Sequence, residues 1–308
     1  MSSKKFVIAD VFTRRRFGGN QLAVFTDGIG LDEATMQEIA REMHFSETTF
    51  LFPPERGGDF RLRIFTPENE LPFAGHPLVG TAFVIVSEQM KQQSNPLTSV
   101  TLETAVGPIP VEVLTESGSP GHTTMTQPLP VVKRTLSGIA EIEPLARALS
   151  IDASEIERTG LPVETIYNGL TVMIVPVASR SVIEAIKLNA GALEEFSRDK
   201  GAETVLVFTR ETVEPASSVH CRVFAPAAGM LEDAATGSAN GPLGYYLVRH
   251  RVVEVKAVTR ILSEQGFEIK RPSMLHIEID VDPNGEEVAG VRVGGGVVIA
   301  GRGEMLLS

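Results

Sequence analysis

Apolar residues along the chain fall mostly at alternate positions or in short unbroken runs, the spacing of strands, and only a few segments switch to helical spacing. Residues 6–12 and 20–25 read as strands with a Gly18-Gly19 turn between them. Residues 32–43 read as an amphipathic helix, with Asp32 as N-cap and Met36, Ile39, Ala40 and Met43 on one face. A β-rich run at 45–52 and a strand at 60–65 flank a turn marked by Pro53-Pro54 and Gly57-Gly58. A loop rich in Pro and Glu then leads to a helix over about 77–90. Residues 100–114 and 123–128 read as strands, the first broken at Gly107-Pro108. Beyond Pro128–Pro130 the grammar repeats, with helices over 142–149, 181–188 and 239–250 and strands over 164–168, 171–177, 204–209 and 219–224. From Ser273 onward strands are expected, joined by Asn284-Gly285 and Gly294-Gly295-Gly296, the glycine triplet forming a hairpin or bulge. This pattern predicts an α+β chain with a largely antiparallel sheet rather than alternating βαβ units.

One passage recurs. Arg63-Ile64-Phe65-Thr66-Pro67 echoes Arg222-Val223-Phe224-Ala225-Pro226. Each is followed by an acidic loop that ends at a Gly and a polar residue opening an apolar helix. The loops are Glu70-Leu71-Pro72-Phe73-Ala74-Gly75-His76 and Glu232-Asp233-Ala234-Ala235-Thr236-Gly237-Ser238. Helices apolar nearly all round belong inside a core. Two pseudo-symmetric domains follow, each a curved sheet around a central helix. Pseudo-symmetry would bring two helix N-termini to one cleft, where free N–H groups and positive dipole ends suit a small carboxylate.

Composition narrows the function classes. The 308 residues can form one large domain or two of about 150. With 28 Lys and Arg against 39 Asp and Glu, the net charge is 28 − 39 = −11, the wrong sign for a nucleic-acid binder or an anionic membrane surface. Three tyrosines and no tryptophan make a poor stacking platform for single strands. Cys221 is the one cysteine, which excludes an intrachain disulfide, a multi-cysteine zinc site and any two-thiol mechanism. The N-terminal residues turn polar by Asp10, so no signal-peptide core is expected and the cytoplasm is the expected compartment. No run approaches the ~18 apolar residues of a spanning helix.

The candidate residues sit at turns and helix starts. His76 follows Gly75, which admits close backbone approach, and precedes Pro77, a natural first-turn residue. Its partner in the echo is Ser238, another hydrogen-bonding residue at a helix start. Alternation places Glu47 on one face with Phe45, Thr49 and Leu51, where apolar neighbours would raise the carboxyl pKa as a general acid/base needs. Asp233 lies in the second acidic loop, and Asn20 and Gln21 follow a glycine turn. Taken singly, each also fits an ordinary loop, cap or edge-strand role. The chain carries no G-x-G-x-x-G after a strand, no Walker loop, no H-E-x-x-H and no EF-hand pattern. Gly237-Ser238 lacks the glycine pattern of a nucleophile elbow, and the six histidines show no paired metal spacing. Neither a cofactor nor a metal is therefore expected.

In order along the chain stand Asp10-Val11-Phe12-Thr13, Phe17-Gly18-Gly19-Asn20-Gln21-Leu22-Ala23-Val24, Ser46-Glu47-Thr48-Thr49-Phe50, Arg63-Ile64-Phe65-Thr66-Pro67, Phe73-Ala74-Gly75-His76-Pro77 and Glu232-Asp233-Ala234-Ala235-Thr236-Gly237-Ser238-Ala239. Together they resemble the PhzF-like phenazine-biosynthesis isomerase family, of the diaminopimelate-epimerase fold. The resemblance implies an N-terminal domain of residues 1–128 completed by 297–308, a second domain of 129–296, and an active site between them. It implies cofactor-free proton transfer between carbons of a small cyclic or activated carboxylic acid, as in trans-2,3-dihydro-3-hydroxyanthranilate isomerase. Glu47 falls on the family's catalytic glutamate, and His76 and Asp233 on its substrate-contacting pair. Gly75 and Ser238, with Gly237, fall on the helix starts near the ligand. A homodimer is implied as well. Epimerase relatives carry cysteines at the two helix starts, where this chain has Ala74 and Thr236. Departures from the family pattern are Ala234 after the Glu-Asp pair and Leu78 after His76-Pro77. Two other readings stay open on the residues alone: a racemase or lyase using Glu47 and Asp233 as two bases, or a non-catalytic small-acid binder.

Overall fold

The computed structural model describes residues 2–92, 96–116, 118–282, 285 and 287–307. They fall into two compact units, Met1–Thr126 with Gly294–Ser308, and Gln127–Val293.

In the first unit β1 (Ser2–Val11) pairs antiparallel with β2 (Asn20–Phe25). Helix α1 (Glu33–Met43) crosses to β3 (Glu47–Phe52), which lies parallel to β2. The Asp32 carboxylate caps α1 by accepting from the Thr35 N–H at 2.8 Å, and His44 in the left-handed region ends it. Met36, Ile39 and Ala40 bury the inner face of α1 against Phe25, Phe50 and Phe65. The Phe25 and Phe50 rings stack at 4.9 Å and Phe65 meets Phe50 edge-on at 5.6 Å. Strand β4 (Phe60–Phe65) pairs antiparallel with β3 and with the two-residue β5 (Glu70–Leu71). Helix α2 (Gly75–Ser87), buried on every side from Gly75 to Val86, leads to β6 (Leu97–Thr104), parallel to β4. The antiparallel strands β7 (Gly107–Glu116) and β8 (Ser119–Gln127) follow.

The second unit starts with β9 (Val131–Leu136), α3 (Ile139–Leu149) and α4 (Ser154–Glu157). Strands β10 (Val163–Tyr167) and β11 (Thr171–Pro176) pair antiparallel, and α5 (Arg180–Glu184) and α6 (Ala190–Asp199) lead to β12 (Thr204–Thr209), parallel to β11. Strand β13 (Val219–Ala225) pairs antiparallel with β12 and with β14 (Met230–Asp233). Helix α7 (Gly237–Arg249) then leads to β15 (Val258–Gln265), parallel to β13, and to β16 (Ser273–Val281). Leu145, Leu149 and Leu193 from α3 and α6 share a core with Val175, Val205 and Val207 of the sheet.

Strand β17 (Val288–Leu307) is continuous through the glycine triplet. It runs antiparallel to β1, from Ser2↔Leu307 to Val11↔Val297, and also pairs with β8. The strands of the first unit thereby close a ring around α2.

The echo in the sequence is an echo in the hydrogen-bond ladder. Parallel pairs β2–β3 and β4–β6 recur as β11–β12 and β13–β15. The Arg63–Glu70 ion pair in the first unit recurs as Arg222–Glu232 in the second. Glu103 accepts from the backbone N–H groups of Glu55, Arg56 and Gly58, and Glu264, at the same register, accepts from those of Val213 and Glu214. Satisfying loop N–H groups with a carboxylate at the end of a central strand is the way both units fix the loop beside their parallel pair.

Three expectations need correction. The Gly294–Gly296 triplet forms no hairpin: a Cβ on Gly294 would stand 2.5 Å from the Thr123 carbonyl oxygen, and one on Gly296 2.9 Å from that of Thr13. Glycine here answers close backbone approach within a strand. Phe45 does not share a face with Glu47, because β3 begins at Glu47 and Phe45 packs into the α1 cluster with Phe50 and Phe52. Helix α2 opens at Gly75, so His76 lies inside its first turn, and the chain leaves the helix at Ser87. Strands β9 and β15 and helices α4 and α6 were not anticipated. Asn284 lies outside the described residues.

Candidate active site

Three of the expected residues meet within the first unit. Asn20 opens β2, Glu47 opens β3, and His76 lies in the first turn of α2. The parallel pairing of β2 with β3 sets Leu22 opposite Glu47, which draws the two strand starts together. All three side chains are buried. His76 Nε2 stands 3.2 Å from Glu47 Oε2, and His76 Nδ1 stands 3.3 Å from Asn20 Nδ2. Ser46, the residue before Glu47, donates its hydroxyl to Asn20 Oδ1 at 2.9 Å. Burial drives the His76 imidazole down to about 3, opposed by a contact with the Gln21 backbone, so the ring is neutral at ordinary pH. Ala74 precedes α2 without a side-chain cap, and the first N–H groups at Gly75 and His76 are left to other partners.

The second unit gathers the rest. Asp233 ends β14 and is 7% exposed. Its Oδ2 accepts from the Thr236 hydroxyl at 2.6 Å. Gly237 and Ser238 form the first turn of α7, whose N-cap Thr236 likewise gives no side-chain cap. Below this turn, Gln127 Nε2 donates to the Gly237 carbonyl at 2.9 Å, and Asn168 Nδ2 donates to Gln127 Oε1 at 2.8 Å and to the Ser238 carbonyl at 3.3 Å. Ala74 and Thr236 are the N-caps of α2 and α7.

Sequence reasoning overlooked Ser46, Gln127, Asn168 and Gln265, whose Nε2 donates to the Asp233 carbonyl and to Thr236 Oγ1. Ser46 stands inside the quoted Glu47 motif, so its neighbourhood was the available signal. The three buried amides carry no local signature. Cys221 is buried at 3.3 Å from Ser263 Oγ, and burial pushes its thiol up to about 12. It therefore lacks the thiolate a nucleophile requires. Among the described residues, no three His, Cys, Asp or Glu side chains are grouped as a metal ion would need. Among the described residues no helix is long and apolar enough to cross a membrane.

The chain as a whole is similar to known proteins. Residues 9–303 match the family described as phenazine biosynthesis-like protein. A Pseudomonas fluorescens protein named trans-2,3-dihydro-3-hydroxyanthranilate isomerase is 37% identical over 302 residues, 98% of this chain and 99% of that one. The crystal structure of a PhzF-family phenazine biosynthesis protein from Bacillus anthracis superposes with a TM-score of 0.86 at 27% identity, covering all of both chains. A probable proline racemase from Agrobacterium radiobacter, 13% identical over 99% of this chain and 93% of its own, shares the fold with a TM-score of 0.68.

Proposed function

The chain belongs to the phenazine biosynthesis-like, PhzF-type family of isomerases, and from that premise we propose that Glu47 is the base that moves a proton between two carbons of a small cyclic or activated carboxylic acid. The substrate named for the Pseudomonas fluorescens relative, trans-2,3-dihydro-3-hydroxyanthranilate, is the member of that class to try first. The observation that carries the reading is the buried contact between Glu47 Oε2 and His76 Nε2 at 3.2 Å.

Glu47 takes a proton from a substrate carbon and becomes a carboxylic acid. The electron pair left behind delocalises through the conjugated system, and Glu47 returns the proton at another carbon. Substrate and product differ only in the positions of one hydrogen and one double bond, so the step needs no oxidant or reductant. Asn20 sets the polarity of the site. Its Oδ1 accepts from Ser46, which turns its NH2 group towards His76 Nδ1. An amide NH2 can only donate, so Nδ1 acts as acceptor and Nε2 carries the hydrogen. A neutral His76 can then donate to developing negative charge without competing for the transferred proton. In the first unit the N–H groups of Gly75 and His76, with Gln21, are offered to the substrate carboxylate, and in the second unit Asp233, Gly237 and Ser238 are read as substrate contacts. The reading extends to a cytoplasmic homodimer.

Glu47→Gln tests it. The amide keeps the shape but has no basic oxygen, so ligand binding persists while turnover falls at least ~10²-fold, the scale of general acid–base catalysis. A Gln variant that turns over its true substrate at nearly the wild-type rate contradicts the assignment.

A further inference from the structure

The internal repeat separates what both units need from what only one needs. Both keep the arginine–glutamate pair and the loop-binding glutamate at the end of a central strand. They part at the next position along that strand. In the first unit Thr104 follows Glu103 and its hydroxyl turns back to the Gly107 carbonyl at 2.9 Å. In the second unit Gln265 follows Glu264, fully buried. The acidic loops part in the same way, with Leu71 in the first unit where the second has Asp233. The extra amide and the extra carboxylate occur in the same unit, the amide at the end of β15 and the carboxylate at the end of β14, whose last carbonyl the amide bonds.

Gln265 spends all of its polar atoms on that loop and on the helix that follows it. Nε2 donates to the Asp233 carbonyl at 2.8 Å and to Thr236 Oγ1 at 3.1 Å. Oε1 accepts from the Thr236 N–H at 3.1 Å and from Asn240 Nδ2 at 3.2 Å. A hydroxyl has one hydrogen. With Gln265 donating to it, Thr236 Oγ1 sends its own hydrogen to Asp233 Oδ2, at 2.6 Å. The floor beneath the turn is built to match. Ser273 Oγ donates to the Ala234 carbonyl at 2.9 Å. Gly266, with φ +79°, would place a Cβ 2.5 Å from that same carbonyl oxygen, so a side chain is excluded on two counts.

We infer that Gln265 is a positioning residue for Asp233, acting through the Thr236 hydroxyl to fix both the turn and the direction in which the Asp233 carboxylate is held. The inference rests on the reading of Asp233 as a substrate contact. It says why the second unit carries a buried amide where its counterpart has a short hydroxyl.

Gln265→Glu is the informative change, because it is isosteric and keeps Oε1 as acceptor for the Thr236 and Asn240 N–H groups. It removes both donations and offers the Thr236 hydroxyl a new acceptor, which turns that hydrogen away from Asp233. Thr236→Val removes the same link from the other side. Backbone amide spectra of Gln265→Glu should show the resonances of 233–237 displaced, with those of the first unit unmoved. Each variant should lose roughly 10–100-fold in kcat, the scale of a misplaced contact group, with KM within about 3-fold. The double variant should be no more than about 3-fold worse than the poorer single, since both cut one chain of contacts. A merely structural role would give additive losses in the double variant. A folded Gln265→Glu protein whose 233–237 amides match the wild type, or additive losses, overturns the inference. Asp233→Asn separates the two claims: full activity in that variant refutes Asp233 as a substrate contact, whereas the amide spectra judge the Gln265 anchor by itself.

Discussion

Replacing His220 by Gln should destabilise the second unit, and the loss should depend on pH. His220 is fully buried, with Nδ1 2.7 Å from Glu264 Oε1 and Nε2 2.8 Å from Glu268 Oε1. Burial alone would push the imidazole down, but hydrogen bonds and charge from these two carboxylates outweigh it and raise it to about 9. The same contact, with the Val213 and Glu214 N–H groups, holds Glu264 below the usual carboxylate range against its own burial. Raising a histidine from about 6.5 to about 9 corresponds to at most about 3 kcal/mol of folding stability. Breaking a buried ion pair by deleting one partner costs ~3–5 kcal/mol, which agrees. A raised folded-state value means this stability is complete below pH ~6.5 and is lost as pH rises through ~9. Urea unfolding followed by far-UV circular dichroism, on wild type and His220→Gln at intervals from pH 6 to pH 10, measures it. The expected gap is about 3 kcal/mol at pH 6, narrowing towards pH 10. A gap below about 1 kcal/mol at pH 6, or one that stays constant across the range, refutes the reasoning.

Two further outcomes follow from the buried groups. His76, driven down to about 3 by burial, should stay neutral to well below pH 5, as read from its ring nitrogen shifts. Because the unfolded chain takes up that proton first, His76 should erode stability as pH falls from about 6.5 towards 3, and a ring titrating near 6.5 would contradict this. Cys221→Ser should keep kcat/KM within about 3-fold, and a thiol reagent at pH 8 should leave the folded protein unlabelled, since a buried thiol raised to about 12 holds almost no thiolate. Rapid labelling without unfolding would show the thiol to be reactive.

The parts of the fold legible in the sequence were those with a local cause. Asp32 announced α1 because a carboxylate before an amphipathic run has one obvious use, and the all-round apolar α2 announced a central helix. The echo of Arg63 and Arg222 was legible because ion pairing to a loop glutamate demands the same spacing twice. Strand β15 escaped because its residues, Val258 to Gln265, alternate only weakly and carry buried polar side chains at Ser263, Glu264 and Gln265 whose partners lie far along the chain. The glycine triplet misled because sequence alone cannot tell a glycine that turns the chain from one that lets another strand approach. Glu47 and His76 stood out by motif, yet the contact between them depends on the packing of α2 against β3, which no local pattern reveals. Phe45 failed as a neighbour of Glu47 because the two-residue period holds only where the strand has begun.

Single-base transfer by Glu47 is the central claim, and the fate of the migrating hydrogen tests it most directly. Substrate carrying deuterium at the carbon that loses its proton is turned over in ordinary water, and the product is read by mass and NMR before equilibrium is reached. One base that removes and returns the same proton predicts deuterium retained at the new carbon in a measurable share of the product, with turnover abolished in Glu47→Gln. Complete replacement of deuterium by solvent hydrogen from the first turnovers, with Glu47→Gln still active, would contradict it and point to two bases working from opposite sides.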